Sequence, residues 1–295
     1  SAPLDRGAYT MSDGLAHVPS QSSFVVAMDV RAMRDQGYLP IARAIRELPD
    51  LAMMRVALAD CELPLLDRLE WVVLANSAPL TKPANGDKPA GTTGMMQRAS
   101  LAILRGQWTR AEFEQCVTSL SDGTATVSPT APAVTRIVSD RPGEGNLHLL
   151  FANHHVVYVS LEEGDDRALT DLAKRKRTRM PLLARESDQL GNHIGFFMAA
   201  DATGTQDMVS SMPANSELVV SAEFGESLRV RMRGDFASEA DAAAVVSAIN
   251  REVSALGSPA QVAALAKLSL TQTKNRVDGN VEVPKGTLNL FAVAA

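Results

Sequence analysis

Two stretches decide how this chain folds: Ala102-Ile-Leu-Arg-Gly106-Gln-Trp-Thr-Arg-Ala-Glu112 and Val230-Arg-Met-Arg-Gly234-Asp-Phe-Ala-Ser-Glu-Ala240. In each, an apolar strand ends in Arg-Gly, an aromatic follows two residues on, and a polar residue opens an amphipathic helix. Alternating apolar residues mark strands buried on one face. Thr109 and Ser238 supply the side-chain oxygen that accepts an orphan N–H at a helix start. Glu112, three residues after Thr109, completes a capping box. The helix over 239–255 is expected to set Ala243, Val246, Ile249 and Val253 on one face.

Working outward, the same order recurs on both sides of this match. Strands are expected at 24–30, 70–76, 100–105, 135–138, 147–152 and 155–161, with helical patterns at 32–59, 110–120 and 166–176. Pro40 and Pro49 break the first of these helices into shorter pieces. The second series has strands at 193–200, 217–224, 228–233, 268–274 and 277–283, with helical segments at 206–212, 239–255 and 286–293. Asp278-Gly279-Asn280 reads as a tight turn or bulge. Asp29 and Asp201 close equivalent strands.

These patterns predict an α+β chain of two similar lobes related by internal duplication, each a mixed or antiparallel sheet covered by helices. The expected organisation is a flexible segment over 1–21, a first repeat over 22–180, a linker over 181–192 and a second repeat over 193–295. The two sheets are expected to join edge to edge, which would hide edge strands.

Composition narrows the function. The 295 residues suit two domains and a sizeable core. No apolar run approaches the roughly 20 residues that cross a bilayer as a helix. A formal charge of −5 argues against nucleic acid as the partner. Aromatic content of 4% leaves few rings for stacking sugars or bases. The sequence starts at Ser1 with a polar stretch broken by Pro3, Gly7, Gly14 and Pro19, as a chain whose leader was removed would start; a cytoplasmic protein is the alternative.

The opening Val18-Pro-Ser-Gln-Ser-Ser-Phe-Val-Val-Ala-Met-Asp-Val30 resembles exported, often lipid-anchored bacterial proteins of uncharacterised function, as do the strand pair and Ala-rich helix of 228–256. Position 18 is Val where those proteins commonly have Leu, and no cysteine precedes it. The resemblance implies a cell-envelope or periplasmic location and tandem α+β repeats. It carries no catalytic residues.

Chemistry-bearing residues are few. His148, His154 and His155 invite a metal reading, but residues six apart on an extended strand are about 20 Å apart. Asn153-His154-His155 suits a turn better, and no cofactor is expected. Asp29 and Asp201 could be paired carboxylates, or caps for the helices that follow; capping is the simpler role. There is no Gly-x-Ser-x-Gly elbow, and Gly91-Thr-Thr-Gly94 lacks the lysine and the context of a phosphate loop. No enzyme is expected. Cys116 lies on the buried stripe of Phe113, Cys116, Val117 and Leu120; it either pairs with Cys61 or both remain free thiols.

Two further features could carry binding. Lys174, Arg175, Lys176, Arg177 and Arg179 form the one dense basic run, either a solvated helix end or a patch for an anionic membrane surface. The long polar loop 77–97, with Lys82, Asn85, Lys88, Met95 and Met96, stands where the second repeat has only Gly225-Glu226. A second long loop spans 121–133. Loops of this length serve contact or are merely tolerated. The expected function is a non-catalytic exported binding or scaffolding protein acting through its sheet face, the cleft between lobes or these loops. A carrier of a small apolar molecule or lipid between the lobes is the alternative, and a hydrolase assembled from distant residues is a third. The partner would be a protein or a small apolar ligand.

Overall fold

The computed structural model describes residues 10–38, 68–76, 101–120, 123–127, 133–138, 147–152, 155–160, 169, 180–186, 195–208, 212–254 and 268–287. Its strands are β1 (Phe24–Asp29), β2 (Leu69–Ala75), β3 (Leu101–Gly106), β4 (Thr124–Val127), β5 (Val134–Val138), β6 (Leu147–Phe151), β7 (Val156–Ser160), β8 (Phe196–Ala200), β9 (Glu217–Phe224), β10 (Ser227–Asp235), β11 (Ser269–Thr273) and β12 (Arg276–Pro284). The described helices are α1 (Met11–Leu15), α2 (Val30–Asp35), α3 (Arg110–Leu120), α4 (Pro181–Glu186), α5 (Ala202–Met208) and α6 (Glu239–Ser254).

All twelve described strands join one antiparallel sheet, in the order β11-β12-β10-β9-β8-β1-β2-β3-β7-β6-β5-β4. Reading outward from the middle, β1-β2-β3-β7-β6 on one side has the same order as β8-β9-β10-β12-β11 on the other. The central β1–β8 pair has matching symmetry. Val26 lies opposite Met198, and Phe24 opposite Ala200 just as Met28 lies opposite Phe196. Beyond the pair, Asp29 N–H donates to Gly195 O at 2.7 Å and Asp201 N–H donates to Ser23 O at 2.8 Å. The same shift in numbering that carries Asp29 onto Asp201 carries Ser23 onto Gly195.

The Arg-Gly-x-aromatic stretches fold alike. Trp108 lies over Gly106, where a Cβ would meet its ring at 2.1 Å, and Phe236 lies over Gly234, where a Cβ would meet the ring at 2.7 Å. Glycine is required at both because the ring occupies the space of the missing side chain. Thr109 Oγ1 accepts from Glu112 N–H at 3.2 Å, and Ser238 Oγ accepts from Asp241 N–H at 3.1 Å.

The principal core lies on one side of the sheet, the covered face. Val25, Ala27, Val73, Ile103, Tyr158 and Phe197 are buried there with Leu15 beside α1 and with Met180, Leu182 and Leu183 at α4. Each such aliphatic or aromatic side chain, once fully buried, contributes about 1.5–3 kcal/mol. On the opposite face, α3 packs Phe113 and Cys116 on Trp108, Ile137, Leu149 and Val157. At the far end of that face α6 packs Ala242 against Phe236 and Val277.

Several expectations need correction. The segment 1–21, expected to be flexible, forms a capped helix from Thr10 onward, with Leu15, Ala16 and Val18 buried. The linker 181–192 contains α4, whose Leu182 and Leu183 join the core. The loop 121–133 contains β4. Asp278-Gly279-Asn280 lies inside β12 rather than at a turn; the reversal is at Lys274-Asn275, with Lys274 at φ 55. On α6 the buried position is Ala242, and Ala243 is exposed. The helical pattern over 32–59 is described only to Asp35, and most of 166–176 and 286–293 lies outside the described residues.

One contact ties distant parts of the sequence together. Tyr38, past the end of α2, donates its hydroxyl to Gly225 O at 2.8 Å across 187 residues. Its ring lies 5.1 Å from Phe224 and 5.7 Å beneath the Lys285 ammonium. Burial pushes the Tyr38 phenol up from its usual range, against the lowering effect of the bond to Gly225.

Candidate functional site

Strand alternation gives the sheet two faces of different character. On the covered face, residues of β1, β2, β3, β7 and β8 are buried and apolar, but farther out the same face turns to charge. On β10, Arg229, Arg231 and Arg233 alternate outward, paired with Glu282 at 3.7 Å, Glu223 at 3.7 Å and Asp278 at 3.0 Å. Arg276 meets Asp235 at 2.8 Å. Exposed pairs of this kind are worth about 0–1 kcal/mol each, so the ladder is a solvated surface that aligns strands rather than a store of stability.

The opposite face has no charged side chain across β2, β1, β8, β9, β10 and β12 between Val72 and Val281. Val26, Met28, Met198, Val220, Val230 and Met232 line up there through the cross-strand pairs Val26↔Met198, Met198↔Val220 and Val220↔Met232. All six are half-buried, while their neighbours Val25, Ala27 and Ala199 on the covered face are buried. None of the six belongs to a buried hydrophobic cluster of the described residues. At about 4.8 Å per strand, the band runs roughly 24 Å across the sheet. It is flanked by the clusters under α3 and α6. An uncharged, half-exposed apolar strip of this size is a candidate binding surface.

The polar residues singled out from sequence have structural partners. Asp29 accepts from Ala32 N–H at 2.7 Å, and Asp201 Oδ1 accepts from Thr203 N–H at 2.9 Å and Gly204 N–H at 3.0 Å. Both therefore cap helices and do not form a carboxylate pair. His148 is buried on β6, opposite Arg136 and Ser160. The Ser160–His148 pair has the residue types of a nucleophile and base, with His148 buried at 4% exposure. His155 Nδ1 lies 3.2 Å from Gly106 O. His154 lies outside the described residues, and among those described no group of His, Cys, Asp and Glu could hold a metal ion. No described helix is long and apolar enough to cross a membrane.

Glu112 sits at the start of α3 and accepts from Thr109 N–H at 2.7 Å and from Arg68 at 3.0 Å. The backbone hydrogen bond from Thr109, with the side-chain bonds from Arg68 and Thr109, holds its carboxyl below the usual range. Cys116, buried on α3, is disulfide-bonded; Cys61, the other cysteine of the sequence, lies outside the described residues. The basic run Lys174, Arg175, Lys176, Arg177 and Arg179 and the loop residues Lys82, Asn85, Lys88, Met95 and Met96 also lie outside them.

Sequence reasoning missed the uncharged strip as a site. Its signal was present: Phe24-Val25-Val26-Ala27-Met28 is apolar at every position, the mark of a strand with two apolar faces. Alternation alone could not say which face the helices cover.

No family model matches the chain, and no curated protein matches it. Solved structures do. Crystal form I of TP0453 is similar with a TM-score of 0.51 and 12% identity, covering 98% of this chain and 99% of that one. Crystal form III of TP0453 is similar with a TM-score of 0.50 and 12% identity, covering 95% and 97%. The likeness extends over nearly the whole of both chains and establishes the fold alone.

Proposed function

We propose that this chain is a non-catalytic binding protein of the cell envelope that holds an apolar or amphipathic ligand against the uncharged strip. The observation that carries this reading is the contrast between Val25, Ala27, Val73, Phe197 and Ala199, buried on one face of β1, β2 and β8, and Val26, Met28, Val72, Phe196 and Met198, half-buried and uncharged on the other. Six neighbouring strands offer a surface without a single charge to solvate, and every apolar contact a ligand makes there removes area worth about 25 cal/mol per Å² from water. The ligand class that follows is a small apolar molecule or a lipid chain. The strip lies on one face of a continuous sheet, so the ligand is held on that face rather than between separate lobes.

The disulfide at Cys116 supports export, because disulfides persist in oxidising compartments and are rare in the cytosol. The matching strand orders about the β1–β8 pair, with the matching caps and glycine–aromatic contacts, support an internal duplication as the origin of the fold. In this reading the basic run 174–179 and the loop 77–97 serve as accessory contacts to an anionic membrane surface or a partner protein.

The test is a titration of the purified protein with a fluorescent fatty acid, together with native mass spectrometry for co-purifying lipid. Val230→Glu, which puts a charge in the strip, should weaken binding at least about tenfold by burying a carboxylate. Arg231→Glu, one residue on and facing the charged side, should leave it unchanged. Failure of the parent protein to bind, or equal binding by the two variants, refutes the assignment.

A further inference from the structure

The inference comes from the edge at β4. This strand ends the sheet, pairing with β5 on one side and, among the described residues, with no strand on the other. All four of its residues are exposed, and Val127, at 63%, is the exposed large hydrophobic among the described residues. An edge strand presents a row of backbone N–H and C=O groups to any strand that approaches, so soluble proteins guard edges with charge, proline or cover. The opposite edge is tied down: the Gln272 amide of β11 donates to Glu239 O at 3.1 Å and Lys274 O at 3.0 Å. Like β11, β4 (Thr124-Ala-Thr-Val127) carries neither charge nor proline, but all its residues are exposed where those of β11 alternate between exposed and half-buried.

We propose that β4 is a strand-addition edge whose partner is β4 of a second copy of this chain, paired antiparallel about a twofold axis. The sequence is self-complementary in one register. With Thr126 opposite Thr126 of the second copy, each Ala125 faces the other copy's Val127. Ala125 and Val127 share the face that continues the apolar side of β5 at Ile137, and Thr126 shares the side of Arg136. Thr–Thr and apolar pairs are the cross-strand pairs that stabilise a ladder, and no like charges meet. The chain already uses this type of junction at its centre, where β1 and β8 pair antiparallel about Val26 and Met198. A closed twofold dimer removes both β4 edges and leaves the tied-down β11 edges outermost.

An interface built on four-residue strands is small, so the association belongs to the weak, transient class. Sedimentation velocity on the whole protein over rising concentration should show a monomer–dimer equilibrium. Thr126→Lys and Thr126→Glu each place like charges directly opposite across the axis and should weaken the dimer about tenfold. An equimolar mixture of the two variants should restore it, since an ammonium on one copy then faces a carboxylate on the other. Thr126 is exposed, so both variants should keep the parent's unfolding midpoint, which checks that they fold. A parent that stays monomeric throughout overturns the proposal. So does a dimer unaffected by either charge, which would lie elsewhere, or an open-ended series of oligomers, which would mean head-to-tail pairing of β4 with β11.

Discussion

The glycine–aromatic contact at Gly106 and Trp108 allows a quantitative test of how the sheet and α3 are locked together. A Cβ placed on Gly106 would fall 2.1 Å from Trp108 Cζ3 and 2.5 Å from Cε3. The backbone itself is no obstacle, because among described glycines only Gly37 has a positive φ. With space available, Gly→Ala stabilises by about 0.4–1 kcal/mol through the unfolded chain. Here the indole must tilt out of a cluster in which it is 2% exposed and 5.0 Å from Phe113. Overpacking of this kind costs about 1–3 kcal/mol, and an overlap this deep lies toward the upper end. Gly106→Ala should therefore lose about 2 kcal/mol net. Trp108→Ala alone should lose about 3–5 kcal/mol. In the Trp108→Ala background the added methyl meets no ring, and Gly106→Ala should instead gain about 0.5 kcal/mol. The cycle thus predicts a coupling of about 2.5 kcal/mol, read from urea unfolding of the four proteins by circular dichroism. A coupling below about 0.5 kcal/mol, or a neutral Gly106→Ala in the parent, would refute the packing argument.

The two central caps should behave as equivalents: Asp29→Ala and Asp201→Ala should each cost about 1 kcal/mol in thermal or urea unfolding, and a large inequality would contradict their matched roles. Glu112 provides a pH readout. Its folded pKa lies below the unfolded value, so the stability linked to it is present above the unfolded pKa and is lost as pH falls through the folded one. Carbon-13 NMR of the Glu112 carboxyl should show a depressed midpoint that rises in Thr109→Ala and in Arg68→Ala while staying below the usual range, because both keep the backbone N–H at position 109; an unchanged midpoint in both would remove the two side-chain contributions.

Most strands are readable from sequence because they alternate or run apolar between breakers. Short elements escape for identifiable reasons. In α1, Gly14 and the nearby Pro19 look like loop residues, yet Gly14 is there because the Trp71 ring lies where its Cβ would be, at 2.8 Å. The β4 residues Thr124–Val127 are four in number and lie in a stretch of Ser, Gly and Pro, too short for a period to register. Gly279 reads as a turn because glycine usually marks one; in the sheet it makes room for Met232, which a Cβ would meet at 2.7 Å. These misses are glycines set by a distant side chain and a strand set by its neighbour. Neither leaves a local trace.

The uncharged strip lies where the two matching strand orders meet at β1 and β8. β1 and β8 are central strands with neighbours on both sides, so every residue along them faces one layer or the other. The covered face receives α1 and α4, while α3 and α6 lie outward, under the outer strands of each half. Among the described residues, none of Val26, Met28, Met198 and Val230, in the middle of that second face, joins a buried cluster. A protein using this middle only for stability would be expected to bury it as completely as Val25 and Ala27 are buried on the other side. Val26, Met28, Met198 and Val230 remain half-buried, and methionine, unbranched and adaptable, suits a surface that must accommodate chains of varying shape. The physical cost of leaving apolar area in water at the symmetric centre of the sheet is offset when a ligand covers it. Unfolding should therefore be measured with and without bound fatty acid. A midpoint that rises with ligand in the parent and not in Val230→Glu is the outcome this geometry requires.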